Sequence, residues 1–136
     1  TLGIRMKALC NNALTLAKAL EKLPGITVNY PGLESSPYKT LVDEQFGGLG
    51  GAILTIRAGS REKAFKLINS LKYAHIATNI GDLRTLVIHP SSTIYLHSTK
   101  EEQEHAGVYE DTIRISVGIE DVEDLIADFT QAIENI

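Results

Sequence analysis

Arg114 stands in the middle of the run Asp111-Thr112-Ile113-Arg114-Ile115-Ser116-Val117, where Ile113, Ile115 and Val117 alternate with Thr112, Arg114 and Ser116. Side chains along a strand point alternately to its two faces. A strand here therefore buries the aliphatic set and presents a guanidinium between two hydroxyls. Such a face suits a carboxylate, because arginine offers parallel N–H groups to both oxygens of a planar anion and a strand aims it more firmly than a loop. The plainer alternative is an arginine solvated on the wet face of a half-buried strand, and periodicity by itself favours that alternative.

The other chemically suggestive groups are weaker. Gly47-Gly48-Leu49-Gly50-Gly51 offers backbone amides to an anion, but it precedes a strand-like run and lacks the Lys-Ser/Thr pair of a phosphate loop, so it reads as a turn or flexible link. His75, His89, His97 and His105 have no zinc spacing, and Glu101 with His105 is an isolated i,i+4 pair; these histidines read as surface or structural residues. Among them His89 is best placed to matter, in a turn beside Pro90, Ser91, Ser92 and Thr93. Glu120, Asp121, Glu123 and Asp124 are what the dipole of a following helix attracts, without any cation. Cys10 is the sole cysteine, has no base placed beside it in sequence, and reads as a core thiol.

The elements that must position Arg114 follow from periodicity. Leu2, Met6, Leu9, Ala13, Leu16 and Leu20 form one helical stripe ending before Pro24-Gly25. Ile26 to Tyr30 alternates as a short strand closed by Pro31-Gly32. Ser35-Ser36-Pro37 predicts the start of a modest helix running through Gln45. Gly51 to Arg57 predicts a central strand, and Ser60 caps a helix whose apolar face is Ala64, Phe65, Leu67, Ile68 and Leu71. His75–Thr78 and Leu86–Ile88, separated by Gly81-Asp82, predict a kinked or split edge. Thr99 with Glu102 has capping-box spacing for a short helix ending near Gly107. Val122, Leu125, Ile126, Phe129, Ala132, Ile133 and Ile136 mark the final helix. Short strands separated by helices imply an α+β, two-layer domain: helices on one face of a small sheet, and the Arg114 face free to meet a second domain.

Bulk properties narrow the partners. The chain has 136 residues, enough for one domain with a real core but short for a complete cofactor-dependent enzyme. A net charge of -4 with no Lys/Arg block argues against nucleic acid. No apolar run approaches the roughly 20 residues of a membrane helix, and a lone cysteine fits a reducing, cytoplasmic setting. Thr1 already lies inside a helical pattern, so a piece of something longer is expected. There is no internal repeat and no low-complexity tract.

Taken together, Asn79-Ile80-Gly81-Asp82-Leu83-Arg84-Thr85-Leu86-Val87-Ile88-His89-Pro90-Ser91-Ser92-Thr93, then Glu101-Glu102-Gln103, Ala106-Gly107-Val108 and Ile113 to Asp121, resemble the C-terminal part of the Cys/Met-metabolism family of pyridoxal-phosphate (PLP) enzymes. Arg5-Met6, Asn11-Asn12-Ala13-Leu14 and Asn29-Tyr30-Pro31-Gly32-Leu33 are similar to the family's interdomain helix and first small-domain strand, so the resemblance spans the chain. It implies the small domain of a fold-type-I PLP enzyme, with a short, mainly antiparallel sheet and helices packed on one face. Residues 1–136 would then be a single C-terminal domain, with 1–22 a long helix leading to a large PLP-binding domain of the same protein. The resemblance also implies that Arg114 fixes the α-carboxylate of an amino-acid substrate, with Asn79 assisting from the opposite side. The family often places Thr-His after the Ser-Thr pair. This chain has Ile94-Tyr95 there, and Thr93, Ile94 and Tyr95 are the expected lining of the substrate channel. None of the eight lysines stands in the family's Ser-x-Thr-Lys context, and Lys39 is a poor imitation. The expected cofactor of the intact enzyme is therefore PLP, held by a Schiff-base lysine elsewhere, with none bound by this chain alone. The family also implies a homo-oligomer, usually a dimer of dimers.

Overall fold

The computed structural model describes residues 1–136. Its centre is the arginine strand, β5 (Thr112–Ser116), which pairs antiparallel with β2 (Ile53–Arg57) on one side and β4 (Leu86–Ile88) on the other. Beyond β2 lies β1 (Thr27–Asn29), and beyond β4 lies β3 (His75–Ile76), giving the order β1-β2-β5-β4-β3. Every pairing is antiparallel except β3 with β4. The expected split edge is thus two neighbouring parallel strands, the first shorter than His75–Thr78. Parallel neighbours need a chain excursion between them, and residues 77–85 provide it, passing beside the end of β5.

Three helices form the second layer: α1 (Leu2–Leu20), α3 (Arg61–Ser70) and α5 (Val122–Glu134), α5 packing against both others. Strand alternation explains the core. Leu54, Ile56, Val87, Ile113, Ile115 and Val117 face the helices, where they meet Ala13, Leu16, Leu20, Ala64, Leu67, Leu125 and Phe129, all buried. Asp121 caps α5 by accepting from the Glu123 N–H at 2.9 Å, and Ser60 caps α3 through the Lys63 N–H at 3.2 Å. In α4 (Lys100–His105) the capping box is complete, Thr99 and Glu102 each accepting from the other's N–H.

Four expectations change. α2 (Lys39–Phe46) starts later than Ser35-Ser36-Pro37, because the Ser36 hydroxyl accepts the Tyr38 N–H and closes a turn around Pro37 instead of capping the helix. Phe65 is 36 % exposed, with Arg61 lying over its ring and the His89 ring tilted against it at 4.7 Å. The glycine run is a turn pinned at Gly50 and not a flexible link. A Cβ at Gly50 would lie 2.8 Å from the Tyr30 hydroxyl, which donates to Gly51 O at 2.9 Å. Finally, the sheet face opposite the helices is partly roofed. Leu86, Ile88, Thr112 and Ser116 on that side are buried, and the turn at Pro90–Ser92 packs on β5.

A candidate carboxylate-binding cleft

Arg114 belongs to a row that crosses the sheet: Asn29 pairs with Thr55, Thr55 with Arg114, and Arg114 with Ile88. Facing residues of one row share a side, so Asn29 and Thr55 join Arg114 in a cleft of about 340 Å³. Pro90, Ile94 and Tyr95 close one wall, and Ala106, Gly107 and Val108 another. Arg114 is the only charged residue of the lining. Burial pulls the pKa of its guanidinium down, yet an arginine keeps its proton throughout the neutral range.

What the guanidinium touches is informative. Of the five arginines, Arg57, Arg61 and Arg84 pair with Asp111, Glu110 and Asp82. Arg114 has no carboxylate among the chain's six ion pairs. Its Nη2 donates to Thr78 O at 2.7 Å and to Asn79 O at 3.3 Å, while its Nε is buried without a partner. Arg5 also has a buried, unpartnered Nε, but it lines no cleft. A desolvated cation held only by carbonyl dipoles is short of negative charge, and an incoming anion is what it lacks.

Of the hydroxyls flanking Arg114, that of Thr112 lines the cleft and that of Ser116 does not. Thr112 Oγ1 accepts the Tyr109 N–H at 3.0 Å, and Ser116 Oγ accepts the Gly81 N–H at 3.1 Å, so each is anchored to the main chain. Alternation places them on the arginine face but says nothing of the loops that cover them. Asn79 reaches Arg114 through its carbonyl, not its amide side chain. Ile94 and Tyr95 line the cleft as expected from their position; Thr93 does not, because its hydroxyl turns back to His89 O at 2.8 Å. Asn29 and Thr55 were missed. Their signal was available in the alternation of β1 and β2, which puts both on the arginine side.

The remaining candidates are absorbed by structure. His89 is buried, its Nδ1 2.8 Å from Ser92 Oγ and its Nε2 2.7 Å from Glu110 O, so both ring nitrogens are occupied within the fold. No group of three or more His, Cys, Asp or Glu side chains converges to hold a metal. Cys10 is buried. None of the eight lysines lines the Arg114 cleft. Lys39 is tied to Asp43 at 2.5 Å, a hydrogen bond that raises its pKa, the reverse of what an amine nucleophile needs. The residues of this cleft therefore fit an anion-binding role, and no lysine stands among them for attachment of PLP.

A small α+β fold with a five-stranded mixed sheet, and α1, α3 and α5 on one face of it, is shared with fold-type-I PLP enzymes. Residues 1–134 match the model of the Cys/Met metabolism PLP-dependent enzyme family, and the chain belongs to that family. It is 46% identical to a homocysteine synthase of Schizosaccharomyces pombe over 98% of the chain and 32% of that protein. It is 41% identical to an L-methionine gamma-lyase of Fusobacterium nucleatum over 100% of the chain and 35% of that protein. Among solved structures, an O-acetylhomoserine (thiol)-lyase assigned in Campylobacter jejuni, carrying a pyridoxyl-lysine monophosphate, superposes with a TM-score of 0.93 at 36% identity, over 97% of this chain and 32% of that one. The chain thus spans about a third of the length of the relatives it matches.

Proposed function

We propose that this chain is the C-terminal, substrate-carboxylate-binding domain of a PLP-dependent O-acetylhomoserine sulfhydrylase, a transferase that makes homocysteine from O-acetyl-L-homoserine and sulfide. One observation carries the reading: Arg114 is the only charge in its cleft, half-desolvated and without a carboxylate partner. PLP, supplied with its lysine by a large domain of the same protein, acts as an electron sink for the substrate's Cα. The small domain's part is orientation. Arg114 takes the α-carboxylate, the carbonyls of Thr78 and Asn79 hold the guanidinium in place, and Ile94 and Tyr95 provide a partly apolar wall for the side chain that bears the leaving group. The intact enzyme works as a homo-oligomer in the cytoplasm.

Arg114→Lys in the intact enzyme tests this, since an ammonium cannot reproduce the planar fork. The expected outcome is a rise in KM for the amino-acid substrate of roughly ten- to a hundredfold, the equivalent of about 1.5–3 kcal/mol for hydrogen bonds to a charged group, with cofactor content unchanged. Unaltered amino-acid affinity would refute the clamp. A second reading, a γ-lyase that eliminates at the γ-carbon, is favoured by the similarity to the Fusobacterium protein. Asn79, where such lyases more often have serine, supports replacement. Release of keto acid from the amino acid in the absence of sulfide would identify the lyase. A third reading, an autonomous small-molecule-binding domain, requires the chain to bind amino-acid carboxylates unaided.

A further inference from the structure

We propose that Ser116 is a positioning residue for Arg114, acting through the main chain of residues 78–81; this rests on the carboxylate-binding reading of Arg114. The two residues are neighbours on the same face of β5, and they tie one short stretch of the 77–85 excursion at two points. Arg114 Nη2 donates to Thr78 O and Asn79 O, and Ser116 Oγ, in a side chain only 1 % exposed, accepts the Gly81 N–H.

Little else holds that stretch. The main chain before it is fixed by Ala77 N–H to Val87 O at 3.2 Å, and the main chain after it by Ile119 N–H to Leu83 O at 2.9 Å. Between them the Gly81–Ser116 bond is the only hydrogen bond to the sheet apart from Arg114's own. Packing does not substitute for it: residues 78–81 are exposed, Ile80 by 63 %. Gly81 sits at φ +73°, where only glycine is relaxed, so the N–H reaches Ser116 through a turn the sequence is built to make.

The consequence falls on the guanidinium. Both two-point modes by which an arginine grips a carboxylate, side-on and end-on, use Nη2, and here Nη2 is tied to the carbonyls of Thr78 and Asn79. Nε has no protein partner, so the edge offered to a ligand is set by where these carbonyls hold Nη2. If the carbonyls drift, Nη2 loses its anchor and the edge turns. Ser116 sets the pose of Arg114 without touching the substrate.

The test is a double-mutant cycle in the full-length enzyme, reading affinity for a non-reacting amino acid and for the matching amine that lacks the carboxylate. Ser116→Ala is expected to weaken the amino acid about fivefold, in line with a lost hydrogen bond of roughly 1 kcal/mol, to leave the amine and the cofactor content unchanged, and to be rescued by Ser116→Thr. In an Arg114→Lys background the same change is expected to add less than twofold. Equal losses in both backgrounds, or equal losses on acid and amine, overturn the inference. Where Ser116→Ala does not fold, Ser116→Cys, similar in size but a weak acceptor, carries the same comparison. An Arg114→Lys enzyme with full amino-acid affinity overturns the carboxylate reading together with this one, whereas a weakened Arg114→Lys beside an additive cycle overturns only the role of Ser116.

Discussion

Arg114, partly buried, and Asp128, buried, are handled in opposite ways. Asp128 is 3 % exposed, and its carboxylate accepts the N–H groups of Lys72, Tyr73 and Ala74 at 2.8, 2.9 and 3.3 Å. It thereby caps the chain where it leaves α3 for β3 and anchors that turn to α5. Every oxygen is satisfied within the fold, so Asp128 is structural. Arg114 keeps an unfilled valence toward the cleft, so it is available. Asp128→Ala leaves three amides without an acceptor and is expected to cost about 3 kcal/mol or more, with Asp128→Asn costing less; urea unfolding of the two variants measures this. Alternation singled out Arg114 as one charge among aliphatics, but only the motifs around it, from Asn79 to Thr93 and on to Asp121, pointed to a carboxylate ligand. Asp128 was not legible: three residues after Leu125, an acid reads as the polar side of an amphipathic helix, and only the folded chain brings residues 72–74 onto it.

At the scale of elements, helices were far easier to read than the sheet edges. The stripes of α1 and α5 carry helical spacing over several turns, and the caps at Ser60 and Thr99 name their own residues. β3 has two residues, too few for a period, and its parallel partnership with β4 depends on where the 77–85 excursion goes. The glycine run between α2 and β2 teaches the same lesson, since its composition looks loose while its packing is tight. Tyr30, sealed beneath Gly32 and Gly50, has a phenol pushed up to about 12, first by burial and second by the charge of Cys10. Because the folded state holds this proton more tightly than the unfolded state, its contribution is fully present below pH 10 and is lost as pH rises from about 10 to about 12. Chemical denaturation across that window should show stability falling more steeply in the parent than in Tyr30→Phe. A parallel slope in the two would mean that Tyr30 is not the titrating group. Gly50→Ala, which forces a methyl onto the phenol, is expected to cost about 1–3 kcal/mol in the same measurement.

At the scale of the whole molecule, family membership and the one-third span together divide the labour proposed for the enzyme. That proposal puts the anion grip in this chain and the cofactor chemistry in the rest of the protein. All lysines but Lys39 are exposed, and Lys39 is ion-paired. Mixing the 136-residue chain with PLP is accordingly expected to give no visible absorbance band that borohydride abolishes; such a band would place a cofactor lysine within these residues. The sheet's strand order carries a different consequence. β5 lies in the middle of the sheet but is the last of the five strands along the chain, and Asn12 of α1 reaches past it to Gly118 O and Glu120 O at 3.0 and 2.8 Å. A nascent polypeptide leaving the ribosome therefore presents β2 and β4 with bare facing edges until the arginine strand is made, and it cannot close its N-terminal helix over the sheet before then. The strand that carries Arg114 is thus the one whose synthesis closes the sheet, and α5, made after it, covers the remaining apolar face.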